Sequence, residues 1–88
     1  MLNMEYVPEL LVLAETLSYT ETARRLHMSH SAVSRHVDAV ERALGARLFN
    51  RTTRKVELTD AGRAVLADFS AMQAHYTHVL DELGRLAG

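Results

Sequence analysis

Residues 29–45 constrain the fold of this chain more than any other stretch. Four aliphatic residues recur there at intervals of three and four and so form one apolar stripe along a helix: Val33, Val37, Val40 and Leu44. Polar side chains fall on the opposite side, among them Ser31, Ser34, Arg35, Asp38 and Arg42. Ser29 is a good N-cap, and Gly45 is a good residue for ending a helix. The pattern predicts an amphipathic helix with both ends marked.

A shorter amphipathic segment precedes this helix, from Thr20 to Leu26, with Ala23 and Leu26 on its inner side. Only Met28 and its neighbours separate the two segments, which is the short turn of a helix-turn-helix. In such a motif the second helix presents its polar N-terminal half to the major groove of DNA. The stripe alone leaves a second interpretation open, in which this is the solvated face of an ordinary helical domain.

The distribution of charge favours the DNA-binding interpretation, although the formal net charge is only −1. Residues 20–55 carry eight cationic and three anionic side chains and therefore +5, whereas residues 1–19 and residues 56–88 each carry −3. A basic central segment between two acidic segments is the charge distribution that a DNA-facing surface requires on an otherwise acidic module.

The remaining composition is that of one small globular domain of 88 residues. The sequence has no cysteine, which excludes disulfides, thiolate metal sites and cysteine nucleophiles and fits a reducing cytosol. The apolar run at residues 10–13 is too short for a signal peptide or a membrane span. We therefore expect a cytoplasmic protein that does not engage membranes.

An opening helix is predicted from about Glu5 or Val7 to Leu17, with Pro8 tolerated in its first turn. Its buried side would consist of Leu10, Leu11, Leu13, Ala14 and Leu17. This helix has a scaffold role and carries no chemistry.

After Gly45, residues 47–51 and 55–58 alternate in character and predict a small β-hairpin, or wing. Its packed side would consist of Leu48, Phe49, Val56 and Leu58. The cations near its tip are long enough to reach backbone phosphates or the minor groove: Arg51, Arg54 and Lys55. A merely solvated hairpin is the alternative.

The last helix is predicted to begin at an N-cap, Thr59, with Asp60 in its first turn and Gly62 weakening its start. Apolar residues then alternate at spacings of four and three: Val65, Phe69, Met72, Tyr76, Val79, Leu83 and Leu86. A strict heptad seam favours a coiled-coil contact with a second copy, because a helix packing on its own domain shows a broader stripe.

Four motifs of the chain belong together: LAETLSYTETARRLHMS at residues 13–29, AVSRHV at 32–37, LGARLFNR at 44–51 and LTDAG at 58–62. Their combination resembles the N-terminal DNA-binding domain of LysR-type transcriptional regulators. The resemblance implies a mainly α fold, in which residues 1–59 form a winged helix-turn-helix of three helices and a hairpin. Residues 60–88 would form a linker helix that pairs antiparallel in a dimer. The family also has a C-terminal effector-binding domain, which this sequence lacks.

The resemblance assigns functional positions along the chain. Base contacts fall on His30, Ser31, Ser34 and Arg35. The wing arginine of the family falls on Arg51 or Arg54, and a phosphate contact at the start of the second helix falls on Thr20 or Thr22. The full set expected at the DNA backbone or minor groove is Thr20, Thr22, Ser29, Arg51, Thr52, Arg54 and Lys55. The dimer interface would consist of Val65, Phe69, Met72, Tyr76, Val79 and Leu83.

Two residues are unusual for a helix surface that contacts DNA bases. His30 stands where the family usually has glutamine, and histidine lacks the bidentate pairing of an amide with adenine. The contact of His30 would also depend on pH. Asp38 is unusual on a DNA face, and we expect it to pair along the helix with Arg35 or Arg42. A contact from Asp38 to a cytosine amino group is the alternative.

Catalysis and metal binding receive little support. The five histidines are joined by no cysteine and by no cluster of carboxylates. The serines near residue 30 lack a third orienting group and an oxyanion loop, and the chain has no Gly-rich phosphate loop. We expect no enzyme, no metal and no cofactor.

The alternative from another class of function is a winged-helix module whose basic face binds an acidic protein without DNA specificity. Salt dependence combined with sequence preference separates the two, because phosphate binding releases counterions. The favoured prediction is sequence-specific binding of double-stranded operator DNA by a homodimeric bacterial regulator at the nucleoid. Tetramers are an option for the full-length protein, and a small-molecule effector would act only through the missing domain.

Overall fold

A computed structural model describes residues 2–52 and 54–88 and confirms the mainly α winged helix-turn-helix with a long C-terminal helix. Its helical elements are a 3-10 turn at Met4–Tyr6, α1 at Val7–Thr16, α2 at Tyr19–Leu26, α3 at His30–Leu44 and α4 at Asp60–Ala87. Strands β1 at Phe49–Arg51 and β2 at Val56–Leu58 pair antiparallel and form the wing between α3 and α4.

Hydroxyl side chains mark the starts of α2, α3 and α4. Ser18 and Ser29 each accept a hydrogen bond at 3.0 Å from the backbone amide three residues further on. Thr59 does the same at 2.8 Å. These hydrogen bonds confirm the predicted helix starts at Ser29 and Thr59. Each cap of this kind contributes about 1 kcal/mol to the stability of the protein.

The first three α-helices end on residues in the left-handed backbone conformation: Leu17 (φ 52°), His27 (φ 55°) and Gly45 (φ 71°). Only glycine adopts this conformation without a steric penalty on Cβ. The left-handed turn at Leu17 moves its side chain away from the buried side of α1, and Leu17 is 42% exposed. The prediction that Leu17 is buried is therefore wrong. Leu44, the last residue of α3, is likewise 38% exposed.

One hydrophobic core joins α1, α2 and α3 to the wing and to the start of α4. Its fully buried apolar residues are Val7, Leu10, Leu13, Val33, Val37, Val40, Leu48 and Phe49. Because Val33, Val37 and Val40 of the α3 stripe lie in this core, the opposite side of the helix faces solvent, as its spacing predicts.

The wing is anchored by a carboxylate of α3. Glu41 Oε2 accepts hydrogen bonds from the backbone amides of Leu48 (2.7 Å) and Phe49 (3.1 Å). A two-stranded hairpin is only marginally stable alone. These two bonds, together with the burial of both residues, therefore fix the hairpin relative to the helix-turn-helix.

Replacing Glu41 by alanine is expected to lower the free energy of unfolding by about 1–3 kcal/mol, because two buried amides lose their acceptor. Glu57→Ala, at the exposed position of β2, is the matched control, since its partner is a surface lysine, Lys55, at 3.0 Å. Urea unfolding of both variants checks the prediction. Equal losses in the two variants would contradict it.

The start of α4 is attached to the two residues that precede β1. Thr59 donates from its backbone amide to the carbonyl oxygen of Leu48 (3.0 Å) and from its hydroxyl to that of Arg47 (2.6 Å). The 28 residues of α4 are about 42 Å long at 1.5 Å per residue. Only its first part reaches the core, through Leu66 and Phe69.

Candidate nucleic-acid interface

The solvent-facing side of α3 carries the residues for which base contacts are predicted. His30, Ser31 and Arg35 are exposed and Ser34 is half-buried. Arg35 takes part in none of the ion pairs that the described residues form. Its guanidinium donors are therefore available for a partner outside the chain.

The two threonines at the start of α2 have different environments. Thr20 is exposed. Thr22 is 0% exposed, and its hydroxyl lies 2.8 Å from the hydroxyl of Thr16. A phosphate contact at Thr22 is therefore wrong, because a buried hydroxyl with an internal partner does not meet DNA. Thr20 remains the predicted position of that contact.

Tyr19, the first residue of α2, lies between α3 and the wing. Its ring lies 4.5 Å from Cζ of Arg51 and 5.5 Å, between centroids, from the ring of His30. Burial raises the pKa of the Tyr19 phenol, and the Arg51 guanidinium lowers it by less. Tyr19 is thus a neutral aromatic surface against which a cation stacks.

Arg51 projects from β1 onto α3. Its Nη1 donates to Ser34 Oγ at 3.2 Å, and its Nη2 lies 3.9 Å from Asp38 Oδ1. Asp38 of α3 therefore faces the wing. The expectation that Asp38 pairs with Arg35 or Arg42 is wrong, because the hairpin brings a closer cation across.

The outer end of the wing borders an open cleft beside the starts of α2 and α3. Thr52, Arg54 and Lys55 are exposed there, and Lys55 Nζ lies 3.0 Å from Glu57 Oε1 of β2. His30 and Arg51 line the same cleft. The arrangement presents a cationic surface continuous with the outer face of α3, which suits a polyanion.

The inner side of α3 is braced by a half-buried polar cluster. His36 Nδ1 lies 2.7 Å from a carboxylate oxygen of Glu9 on α1, and the His36 ring stacks on Tyr6 with centroids 3.9 Å apart. These contacts hold α3 against α1 at His36, the residue that follows Arg35.

The heptad seam of α4 divides into two parts. Phe69 is only 7% exposed and Val65 packs on the same core, so these positions serve the domain itself. The dimer contact predicted for Phe69 is wrong, because the helix has not yet left its own domain at that point. Further along, large apolar side chains are exposed: Met72, Tyr76, Val79, Leu80, Leu83 and Leu86.

The sequence matches the family model described as "Bacterial regulatory helix-turn-helix protein, lysR family" over residues 9–63, more than half of the chain. The matched stretch runs from α1 through the helix-turn-helix and wing into the first turn of α4. This chain belongs to the LysR family.

Relatives of this LysR-family chain carry the names of transcriptional regulators. An uncharacterized HTH-type regulator in the ibpB-leuC intergenic region of Azotobacter vinelandii is 48% identical over 56 residues, which cover 64% of this chain and 39% of the relative. The probable HTH-type transcriptional regulator LtrA of Klebsiella pneumoniae is 33% identical over 86 residues, covering 94% of this chain and 28% of LtrA. The chain thus spans well under two thirds of the length of either relative.

Solved structures agree with the family assignment. The CbnR DNA-binding domain, crystallised in complex with DNA, superposes with a TM-score of 0.92 at 29% identity and covers 98% of this chain and 99% of that one. CbnR itself, described as a LysR family transcriptional regulator, gives a TM-score of 0.85 at 30% identity over 91% of this chain and 28% of that one. This LysR-family chain therefore has the architecture of the CbnR DNA-binding domain.

Several contacts at the interface lie beyond what the sequence pattern predicts. Tyr19 directly precedes the predicted second helix, and an aromatic residue next to the predicted helix-turn-helix is the only sequence signal for its role. Nothing in the spacing pairs Glu9 with His36, which lie 27 residues apart. Across residues 2–52 and 54–88, no cluster of three or more His, Cys, Asp or Glu side chains has the arrangement of a metal site. Within the same ranges, no helix combines the length and hydropathy needed to cross a membrane.

Proposed function

We propose that this chain is the DNA-binding part of a bacterial transcriptional regulator and binds double-stranded operator DNA at specific sequences. The observation that carries the proposal is the exposed N-terminal half of α3, with an available Arg35 beside a cationic wing. A helix of this kind fits the major groove, and the wing fits the adjacent backbone or minor groove. The relatives named as transcriptional regulators support this function over a protein-interaction module.

The roles of the individual residues follow from their positions. His30, Ser31, Ser34 and Arg35 would face base edges, with Arg35 on the O6 and N7 atoms of a guanine. The phosphate backbone would be contacted by exposed polar and cationic groups around the cleft: Thr20, Ser29, Thr52, Arg54 and Lys55. Arg51 would approach the duplex from its place against α3.

The reading unit would be a homodimer formed through α4. The exposed residues proposed for the contact are Met72, Tyr76, Val79 and Leu83. Two recognition helices related by a two-fold axis read an inverted repeat, so the operator would contain two half-sites. A longer form of the regulator would add effector binding and, by further contacts, tetramers. Its place would be the bacterial cytoplasm at the nucleoid, where operator DNA lies.

The first experiment is selection of bound duplexes from a random pool by the 88-residue chain. An interrupted inverted repeat would support a dimeric reader and reveal the base opposite His30. Salt-sensitive binding without a consensus would contradict sequence specificity. A chain that retains no duplex even at low salt would favour the protein-interaction module.

Arg35→Ala is expected to weaken operator binding by about 1–3 kcal/mol, roughly 5- to 150-fold, and to relax the preference at one base pair. The reason is the loss of a bidentate contact to a base edge. Arg85→Ala, which removes the same charge near the end of α4, is the matched control. Affinities for the operator and for its single-base variants measure the effect. Unchanged base selectivity in Arg35→Ala would contradict the assignment of Arg35 to a base contact.

A further inference from the structure

Asp38 places a carboxylate on the side of α3 that the proposed function turns towards DNA. Its side chain is 45% exposed. Like charges repel more strongly when binding removes the water between them, so an uncovered carboxylate would oppose the approach of phosphates. Such a residue is tolerated at a DNA interface when a cation covers it.

The covering cation comes from another element. The Arg51 guanidinium, carried by β1, lies within 3.9 Å of Asp38 Oδ1 and donates to Ser34 Oγ at 3.2 Å. The same group stacks on Tyr19 of α2, 4.5 Å from the ring centroid. One side chain of the wing is therefore held simultaneously by both helices of the helix-turn-helix.

We propose that Arg51 is a positioning residue that covers the Asp38 carboxylate and locks the wing against α3. The inference rests on the proposed DNA-binding function and deepens it. Arg51 acts on affinity through Asp38, whereas Arg54 and Lys55 are exposed cations at the outer end of the wing. By engaging Ser34, Arg51 also fixes the orientation of one of the residues that face the bases.

A double-mutant cycle on operator affinity tests the coupling. Arg51→Ala is expected to weaken binding at least about tenfold, because it removes a cation and uncovers a carboxylate. With Arg51 present, Asp38→Asn changes affinity by less than about twofold. In the Arg51→Ala background, Asp38→Asn strengthens binding by about fivefold or more, a coupling typical of residues in contact. Asp81→Asn and Arg85→Ala, with the same charge changes on exposed residues towards the end of α4, show no such coupling.

Two further measurements separate positioning from folding and from simple phosphate contact. Half-exposed ion pairs contribute little to the free energy of unfolding, so Asp38→Asn retains the melting temperature of the wild type. Arg51→Lys keeps the charge but loses the planar fork that spans Ser34 and Asp38. Arg51→Lys is therefore expected to retain the salt dependence of binding and to lose the base preference near Ser34. This measurement tests the inference even if Arg51→Ala does not fold.

The outcomes are distinct. If Arg51 contacts only phosphates, Asp38→Asn strengthens binding by the same factor in both backgrounds, and that equality overturns the inference while leaving the proposed function intact. A base preference in Arg51→Lys identical to the wild type also overturns it. A wild-type chain that retains no duplex overturns the proposed function, and this inference with it.

Discussion

Gly62→Ala is expected to destabilise the domain by about 3 kcal/mol or more, beyond the usual cost of overpacking. A Cβ at this position would lie 2.0 Å from the carbonyl oxygen of Leu48 and 2.9 Å from its carbonyl carbon. Both atoms belong to backbone, so α4 must move away from Leu48, the residue that precedes β1. That movement breaks the hydrogen bonds by which Thr59 joins Leu48 and Arg47. Urea unfolding at fixed protein concentration measures the loss.

The same helix offers a matched control in Gly84. A Cβ built there meets no atom within 4 Å. Gly84→Ala is therefore expected to stabilise the chain by about 0.5–1 kcal/mol through helix propensity alone. Two glycine-to-alanine changes in one helix thus have opposite signs. A stabilising Gly62→Ala would show that α4 packs on Leu48 less closely than the structure indicates.

Gly62 also illustrates why part of the fold is beyond sequence patterns. Spacing and caps predict α3 because the four-three repeat and Ser29 act within one helix. Helix propensity makes Gly62 look like a weak start for α4, whereas its role is to admit the Leu48 carbonyl. That approach depends on how two distant segments pack, and no local pattern records it.

The contrast between patterns within one helix and the packing of distant segments also explains which features of the candidate interface could be predicted. The polar side of α3 follows from periodicity, which is why the exposure of His30, Ser31 and Arg35 could be predicted. The contacts of Arg51 depend on the angle between wing and helix, and those of His36 on a residue of α1. Thr22 lies on the buried side of α2, a feature that a resemblance between motifs does not resolve.

The α4 seam shows a further limit. The heptad spacing continues unbroken from Phe69 through Met72 to Tyr76, so it does not mark the point at which the helix leaves its own domain. The structure divides it, with Phe69 only 7% exposed and Tyr76 59% exposed. The large apolar residues beyond Phe69 form a surface that a second copy of the helix would cover.

Tyr76→Glu is expected to convert a dimer into monomers and to weaken binding to a two-half-site operator by about 10²- to 10⁴-fold. The charge would have to be buried in an apolar contact without a partner, which opposes association. Affinity for a single half-site is expected to stay near that of the wild type, because Tyr76 lies on the long helix, away from α3. Sedimentation mass and binding to one-site and two-site duplexes measure the two effects.

Ala74→Glu is the matched control for this prediction, since residue 74 is exposed and lies about 160° around the helix from Tyr76. It introduces the same charge in the same turn but leaves the apolar surface intact, so it should retain both the dimer mass and operator affinity. The contrast between the two variants separates loss of the dimer from a general effect of negative charge near DNA. If Tyr76→Glu kept the mass of a dimer, the contact between copies would lie elsewhere than on this side of α4.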